Sequence, residues 1–141
     1  MEIQARVWKD GKFWLVEIPS LDAMTQGKSK ADAIRMAKDL VTEMIQSYFK
    51  TKGDVKVVVS NQSKDTLCIT ATEVKLLTAL VLRRQREKSG LTVKEAAERL
   101  GSKSPNSYAQ YERGLISVSI DKYEHLLQAA NPFDHRRLRL V

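Results

Sequence analysis

Two amide side chains, Asn106 and Gln110, stand four residues apart in a polar stretch of the chain. Residues at this spacing share one face of a helix. Each amide can form two hydrogen bonds with the edge of an adenine in the major groove of DNA. If this stretch forms a helix that enters the major groove, we predict that both residues contact bases, with Lys103 and Ser107 as the next candidates for the same role.

Three further side chains are suited to phosphate rather than to bases. Lys94 and Arg113 carry positive charge, and Tyr108 offers a hydroxyl donor. Such contacts fix the register of a protein on DNA without reading its sequence. Packing inside the domain is the alternative for Tyr108 and for Tyr111, and we expect Tyr111 to face the core.

Other charged residues nearby are expected to serve the structure. Glu112 is predicted to pair with an arginine of the same domain. Three neighbouring arginines are expected to form a solvated face, with phosphate contact as the alternative: Arg83, Arg84 and Arg86. His125, in the last predicted helix, and His135, in a basic tail, have no catalytic neighbours in the sequence.

The elements that would position these side chains are two short helices. Thr92 is a helix N-cap with Glu95 at the capping-box spacing, and Gly101 can take the positive φ that ends a helix. Between them, apolar residues recur at helical spacing: Val93, Ala96, Ala97 and Leu100. A second helix is predicted to open near residues 104–105 and to stop at 112–114. This is a helix-turn-helix pattern, with a helical bundle that has no DNA role as the alternative.

Residues 76–131 resemble a Cro/lambda-repressor-type helix-turn-helix domain. The matching segments are LRRQREKSGLTVKEAAERLG and, shortly after it, YAQYERG. The resemblance implies that the second helix of the motif is the recognition helix and that it binds operator DNA. Two features depart from the family: Val93 stands where a glutamine is usual, and the turn through 102–105 is about one residue longer.

Charge is distributed unevenly along the chain. The formal net charge is +7; residues 1–71 have 11 Lys/Arg against 9 Asp/Glu, and residues 72–141 have 13 against 8. A basic domain gains affinity for any polyanion through counterion release, so this excess agrees with nucleic-acid binding without specifying it.

The first half of the chain has a different organisation. Alternating residues predict strands over 2–9 and 12–18, joined by a hairpin turn at Asp10-Gly11. A loop over 20–28 leads to an N-cap at Ser29 and an amphipathic helix over 30–49, followed by strands over 55–60 and 66–71. The predicted fold class is α+β: a small β-β-α-β-β module followed by an all-α helix-turn-helix domain.

Residues 1–71 resemble the partly degraded RNase H-like module of HicB-family antitoxins. The positions that match the family pattern are Pro19, Leu21, Thr25, Gly27, Ser29, Ala31, Ala33 and Ala37. The family often has a Pro-Gly-like turn where this chain has Asp22-Ala23-Met24. The resemblance implies that the module binds and masks a HicA-like toxin, a small basic endoribonuclease, and that the C-terminal domain represses the toxin–antitoxin operon.

The two resemblances together predict an antitoxin and autorepressor, not an enzyme. The domains are expected at 1–71, 72–133 and, as a basic tail, 134–141, and the protein is expected to form a homodimer or a higher homo-oligomer. A stand-alone repressor with a ligand pocket lined by Trp8, Phe13 and Trp14 is the first alternative. A nuclease is the second, although the carboxylates of residues 1–71 show no metal-ligand spacing.

Few residues suit a metal or a cofactor, and we predict neither. The single cysteine, Cys68, lies in an apolar run and is expected to be a buried structural thiol. No segment has the roughly 18 apolar residues that a membrane-spanning helix needs. We expect a cytoplasmic protein with no membrane partner.

Overall fold

The computed structural model describes residues 1–50 and 54–134. The α+β fold class is confirmed. The strands are β1 Ile3–Asp10, β2 Phe13–Ile18, β3 Ala23–Gly27, β4 Val57–Asn61 and β5 Thr66–Ala71. The helices are α1 Lys30–Phe49, α2 Val74–Ser89, α3 Val93–Arg99, α4 Asn106–Glu112 and α5 Ile120–Ala130. The chain divides into two compact units within α2, between Leu77 and Thr78. His135 and the rest of the predicted basic tail beyond 134 lie outside the described residues.

The N-terminal unit is a five-stranded sheet with α1 packed on one face. The strand order is β3-β2-β1-β5-β4, and every neighbouring pair is antiparallel. Alternate residues of each strand point toward the helix, which explains the buried–exposed alternation of β1. The apolar stripe of α1 completes this core with four residues spaced by one helical turn: Ala33, Ala37, Val41 and Ile45.

The loop predicted over 20–28 is wrong, because most of it is an edge strand. A 3-10 turn at Pro19–Leu21 follows β2, and Asp22 adopts the left-handed conformation with φ of 48°. The chain then returns as β3 alongside β2, with Val16 opposite Thr25. Apart from Thr25, this strand lacks the β-branched and aromatic residues that favour strands, so its pairing with β2 decides the conformation.

Glycine is required at position 27 because α1 approaches the backbone closely there, and not because a turn demands it. A Cβ built at Gly27 would lie 2.3 Å from the backbone nitrogen of Ala33, in the first turn of α1. No side chain fits in that space. The glycine therefore lets the helix start directly over the end of β3.

The start of α1 is capped as its sequence predicts. The Ser29 hydroxyl accepts a hydrogen bond from the Asp32 amide at 3.1 Å. The Asp32 carboxylate accepts from the Lys28 amide at 3.0 Å and from the Arg35 guanidinium at 2.6 Å. The backbone hydrogen bond from Lys28, followed by the one from Arg35, lowers the pKa of Asp32.

The C-terminal unit is helical. Its core includes the fully buried side chains of Leu80, Leu82, Tyr108 and Leu126. A buried polar contact lies among them: the Asn131 side-chain amide donates to the side-chain oxygen Oε1 of Gln85 at 2.9 Å, which joins the end of α5 to α2. No helix of the described residues is long and apolar enough to cross a membrane.

Candidate nucleic-acid interface

The helix-turn-helix predicted from the sequence is present as α3, a turn and α4. Thr92 caps α3 and accepts a hydrogen bond from the Glu95 amide at 3.1 Å. Gly101 has φ of 79°, the left-handed conformation expected where this helix ends. The Ser102 amide then donates back to the Ala97 carbonyl at 3.1 Å, which closes the C-terminal end of α3.

Serine side chains hold the longer turn between the two helices. The Ser104 amide donates to the Ser102 hydroxyl at 3.2 Å, and the Ser107 hydroxyl donates to the Ser104 carbonyl at 2.7 Å. Pro105 stands at the N-cap of α4, where its missing amide hydrogen costs nothing. The extra residue is thus accommodated without loss of the second helix.

Tyr108 anchors α4 in the core and does not contact phosphate. Its side chain is fully buried, and its hydroxyl donates to the Leu82 carbonyl at 3.5 Å. Burial, followed by the nearby Glu112 carboxylate, raises the pKa of Tyr108. The phosphate role predicted for Tyr108 is therefore wrong, and the expectation that Tyr111 faces the core is wrong too: Tyr111 is half-exposed, with the Lys122 ammonium 5.7 Å from its ring centroid.

An ion pair fixes the other end of α4. Glu112 pairs with Arg86 of α2, as predicted for a partner arginine in the same domain, and their side chains are only 8% and 14% exposed. Arg86 also donates to the Leu91 carbonyl at 2.8 Å. The hydrogen bonds of Glu112 raise the pKa of Arg86. Arg86 therefore does not belong to a solvated face, in contrast to the sequence-based expectation.

The other two arginines of that group stay on the surface of α2. Arg83 lies 2.9 Å and Arg84 3.2 Å from Glu87 carboxylate oxygens, about one turn along the helix. Local pairs of this kind leave both guanidinium groups accessible to solvent. Their contribution to stability is small.

The residues predicted to contact bases are accessible: Asn106 and Gln110 lie on the side of α4 away from Tyr108, and Lys103 lies in the preceding turn. Lys103 and Asn106 are exposed, and Ser107 and Gln110 are half-exposed. Side-chain hydrogen bonds to other described residues are absent for Lys103, Asn106 and Gln110, whereas Ser107 is engaged in the turn. Base contact by these residues stays a prediction, and the geometry leaves the two amides free for it.

Lys94 and Arg113, the remaining phosphate candidates, are both exposed. Within residues 1–50 and 54–134, neither has a salt bridge. They differ in this from the arginines of α2, all of which are paired. Lys94 lies in the first turn of α3, and Arg113 is the C-cap residue of α4.

The aromatic residues of the N-terminal unit do not line one pocket. Trp8 pairs with Leu15 and Phe13 with Asp10, which places Trp8 and Phe13 on the sheet face opposite α1. Trp14 lies on the helix side of the same sheet. These three residues therefore do not line the one ligand pocket suggested for a stand-alone repressor, because Trp14 lies on the other side of the sheet.

The carboxylates of the same unit serve local structure. Glu17 pairs with Arg6 across the β1–β2 register, and the Asp32 carboxylate accepts hydrogen bonds from the Lys28 amide and Arg35 at the start of α1. Among the described residues, no group of three or more His, Cys, Asp or Glu side chains is placed to hold a metal ion.

Cys68 is half-exposed on the open face of the sheet rather than buried in the core. It lies between the buried residues Leu67 and Ile69 of β5, so strand alternation turns it outward. Its thiol donates to the Glu2 carboxylate at 3.2 Å. Burial, with the Glu2 carboxylate as the second cause, raises the pKa of the thiol.

Sequence reasoning missed a polar stripe on α5. Lys122, His125 and Gln128 recur every three residues, and they line a cleft with Arg99 at the end of α3. The three-residue spacing is a signal for a shared helix face. What the sequence does not reveal is that α3 ends opposite this stripe.

Comparison with known proteins supports the assignment of the C-terminal half. A family model described as a helix-turn-helix domain matches residues 79–139. No curated protein matches the chain. The C-terminal part of the chain is thus a helix-turn-helix domain of the kind that DNA-binding regulators use, with α3 and α4 as its motif.

Proposed function

We propose that the protein is a transcription repressor that binds operator DNA through α4, and that it is the antitoxin of a type II toxin–antitoxin pair. Its N-terminal unit would bind and neutralise a HicA-like mRNA endoribonuclease. The observation that carries the DNA-binding part is the arrangement of α4: one side is fixed by Tyr108 and Glu112, and the other presents free amides.

Rigid positioning is what base reading requires. An amide that forms two hydrogen bonds with adenine must be held within about half an ångström, and a helix anchored at both ends provides this. Lys94 and Arg113 supply positive charge on the helix-turn-helix motif without a competing carboxylate partner among the described residues. Their phosphate contacts would set the register in which Asn106 and Gln110 meet the bases.

The antitoxin part rests on the N-terminal unit. Residues of the HicB-like pattern have clear structural reasons here: Gly27 admits the start of α1, Ser29 caps it, and Ala33 and Ala37 pack on the sheet. Opposite α1, the sheet presents exposed apolar residues: Phe13 (42% exposed), Met24 (56%) and Val58 (55%). Met24 and Val58 lie on the two edge strands of this face, β3 and β4, and we assign the toxin to it.

The DNA-binding part is tested with the DNA upstream of the gene. Fluorescence anisotropy should show tight, sequence-dependent binding that survives an excess of unrelated duplex. Asn106→Ala/Gln110→Ala should abolish the preference for the upstream DNA and retain weak, nonspecific binding. Lys12→Ala, in the β1–β2 turn, is the control and should bind as the parent protein does. Equal affinity of the parent for upstream and unrelated DNA would overturn this part.

The antitoxin part is tested by expressing the protein with its neighbouring genes and analysing what co-purifies by mass spectrometry. We expect a stoichiometric basic protein of under about 100 residues that is toxic when expressed alone. Met24→Lys/Val58→Lys should release this partner, whereas Lys38→Glu on the outer face of α1 should not. A homo-oligomer that binds its upstream DNA without any protein partner would instead favour a stand-alone repressor.

We also expect a dimer on DNA. Repressors of this architecture bind two half-sites about 34 Å apart, one turn of DNA, because a single short recognition helix reads few bases. Light scattering of the free and DNA-bound protein tests this. A 1:1 complex with a single half-site would contradict it.

A further inference from the structure

A polar cleft lies in the helix-turn-helix domain between the end of α3 and α5. Its volume is about 420 Å³. The lining residues are Arg99 and Leu100 from the end of α3, and Lys122, His125, Gln128 and Ala129 from α5. None of the lining residues is acidic. The cleft is large enough for a small ligand, since binding pockets typically span about 300–1,000 Å³.

The polar side chains of this cleft have unused hydrogen-bond donors. Arg99, His125 and Gln128 form no side-chain hydrogen bond or ion pair with any other described residue. The Lys122 ammonium lies 5.7 Å from the centroid of the Tyr111 ring, and the ring attracts its positive charge. This contact leaves the N–H donors of Lys122 available for a ligand. By contrast, every arginine of α2 is paired with a glutamate.

Two cations, an imidazole and an amide therefore converge on one cavity. Arginine binds phosphate oxygens through two parallel hydrogen bonds, and lysine binds them as a point charge. An imidazole N–H and an amide N–H add donors for further oxygens. A phosphate group matches this set because it offers several acceptor oxygens and more than one negative charge. A neutral ligand would leave the two cations uncompensated.

We propose that this cleft is an oxyanion site that takes a phosphate group, from either a small phosphorylated ligand or the backbone of bound DNA. A free phosphorylated ligand would act as an effector within the DNA-binding domain itself. A backbone phosphate would extend the DNA interface from α4 to α5. The free-ligand form does not depend on the function proposed above.

Binding is tested with pyrophosphate and the full-length protein, labelled with ¹⁵N. We expect saturable shifts of the backbone amide signals of residues 99–101 and 122–129. Arg99→Gln and His125→Gln should each weaken pyrophosphate binding roughly tenfold or more, because each removes a charged or polar donor. Both side chains are exposed, so the spectra should otherwise stay native. Arg35→Gln, the same change on the surface of α1, is the matched control.

The source of the phosphate is tested by DNA binding of the same variants. If the cleft takes backbone phosphate, Arg99→Gln weakens binding to any duplex, lowers its salt dependence, and pyrophosphate competes with DNA. If it takes a free ligand, the DNA affinity of Arg99→Gln without pyrophosphate is unchanged, while the parent protein still binds pyrophosphate and Arg99→Gln binds it more weakly. The proposal is overturned if no saturable shift occurs at these amides, or if Arg99→Gln and His125→Gln bind pyrophosphate as the parent does.

Discussion

Arg86 and Glu112 are joined by three hydrogen bonds inside the helix-turn-helix domain, although 26 residues separate them in the chain. The Nε of Arg86 lies 3.2 and 2.9 Å from the two carboxylate oxygens, and one terminal nitrogen lies 2.6 Å from Oε1. The other terminal nitrogen donates to the Leu91 carbonyl, just before α3. One guanidinium therefore connects α2, the entry to α3 and the end of α4.

Removing one member of this pair should lower the free energy of unfolding of the domain. Glu112→Ala leaves the Arg86 guanidinium with little solvent and without its paired carboxylate, which costs about 3 kcal/mol for a buried pair. Urea unfolding followed by hydrogen exchange of α2–α5 measures the loss. Arg83→Ala, which removes a surface pair with Glu87, is the control and should cost less than about 0.5 kcal/mol.

The two units provide separate signals for this measurement. Both tryptophans, Trp8 and Trp14, belong to the N-terminal unit. Tryptophan fluorescence should therefore report the same unfolding midpoint for Glu112→Ala and the parent protein. An unchanged exchange rate in α4 of Glu112→Ala would show that the ion pair does not hold the helix.

The sequence was sufficient where local signals agree with packing. Helix α1 begins and ends at the predicted residues because Ser29 caps it and its apolar positions recur at one face. Strand β5 is also predicted to the residue, since its alternation is regular. The helix-turn-helix followed from a cap, a glycine and a small-residue face that all indicate the same structure.

The errors arose where the fold decides between two local interpretations. Tyr108 and Tyr111 are both tyrosines on a seven-residue helix, and only the position of Leu82 and α2 determines which of them is buried. β3 lacks strong strand residues and depends on β2 for its conformation. Arg86 resembles its neighbours in sequence, but Glu112 lies opposite Arg86 alone.

Gly27→Ala should destabilise the N-terminal unit severely. Its Cβ would collide with the Ala33 amide nitrogen at 2.3 Å, so the first turn of α1 must move off the sheet. Forced repacking of this kind costs about 1–3 kcal/mol. Urea unfolding followed by tryptophan fluorescence measures it, because both tryptophans lie in this unit.

Gly11→Ala separates this packing effect from backbone strain. Gly11 has φ of 59°, and no atom lies within 4 Å of the position that a Cβ would take there, so its alanine variant suffers backbone strain alone. We expect a cost of about 1 kcal/mol. A smaller loss for Gly27→Ala than for Gly11→Ala would contradict the close approach of α1.

The Cys68 thiol should react slowly and become faster when Glu2 is neutralised. Burial and the Glu2 carboxylate both raise the pKa of the thiol, so little of the reactive thiolate is present near neutral pH. Glu2→Gln removes one of the two causes. The rate of modification by a disulfide reagent should therefore rise in Glu2→Gln at fixed pH, and the pH at half-maximal rate should fall. Gln4→Glu, which adds a carboxylate at the position paired with Cys68 across the β1–β5 register, should have the opposite effect and slow the modification.

Gln110→Ala should alter which DNA sequences are bound. If Gln110 contacts an adenine through two hydrogen bonds, its removal takes away about 1–3 kcal/mol of discrimination at that base pair. The affinity for the best operator should fall about 5- to 150-fold, while the affinity for unrelated duplex stays the same. Binding-site selection with randomised DNA measures the change. Weaker binding to all sequences alike would assign Gln110 to the backbone instead.

Lys94→Ala and Arg113→Ala should, in contrast to Gln110→Ala, weaken DNA binding without changing the sequence preference. Both residues are exposed and have no salt-bridge partner in the part of the chain that the structure describes, so their charge is available to phosphates. Each should weaken binding to operator and unrelated DNA by the same factor. The slope of log affinity against log salt should fall by about 0.9 for each phosphate that the protein no longer neutralises.

Arg84→Ala distinguishes this effect from a simple loss of net charge. It removes the same single charge from α2, where Glu87 already neutralises part of it. We expect its salt slope to stay close to that of the parent protein. If Arg84→Ala lowers the slope as much as Lys94→Ala does, then the domain attracts DNA by its overall charge, and Lys94 and Arg113 have no special role.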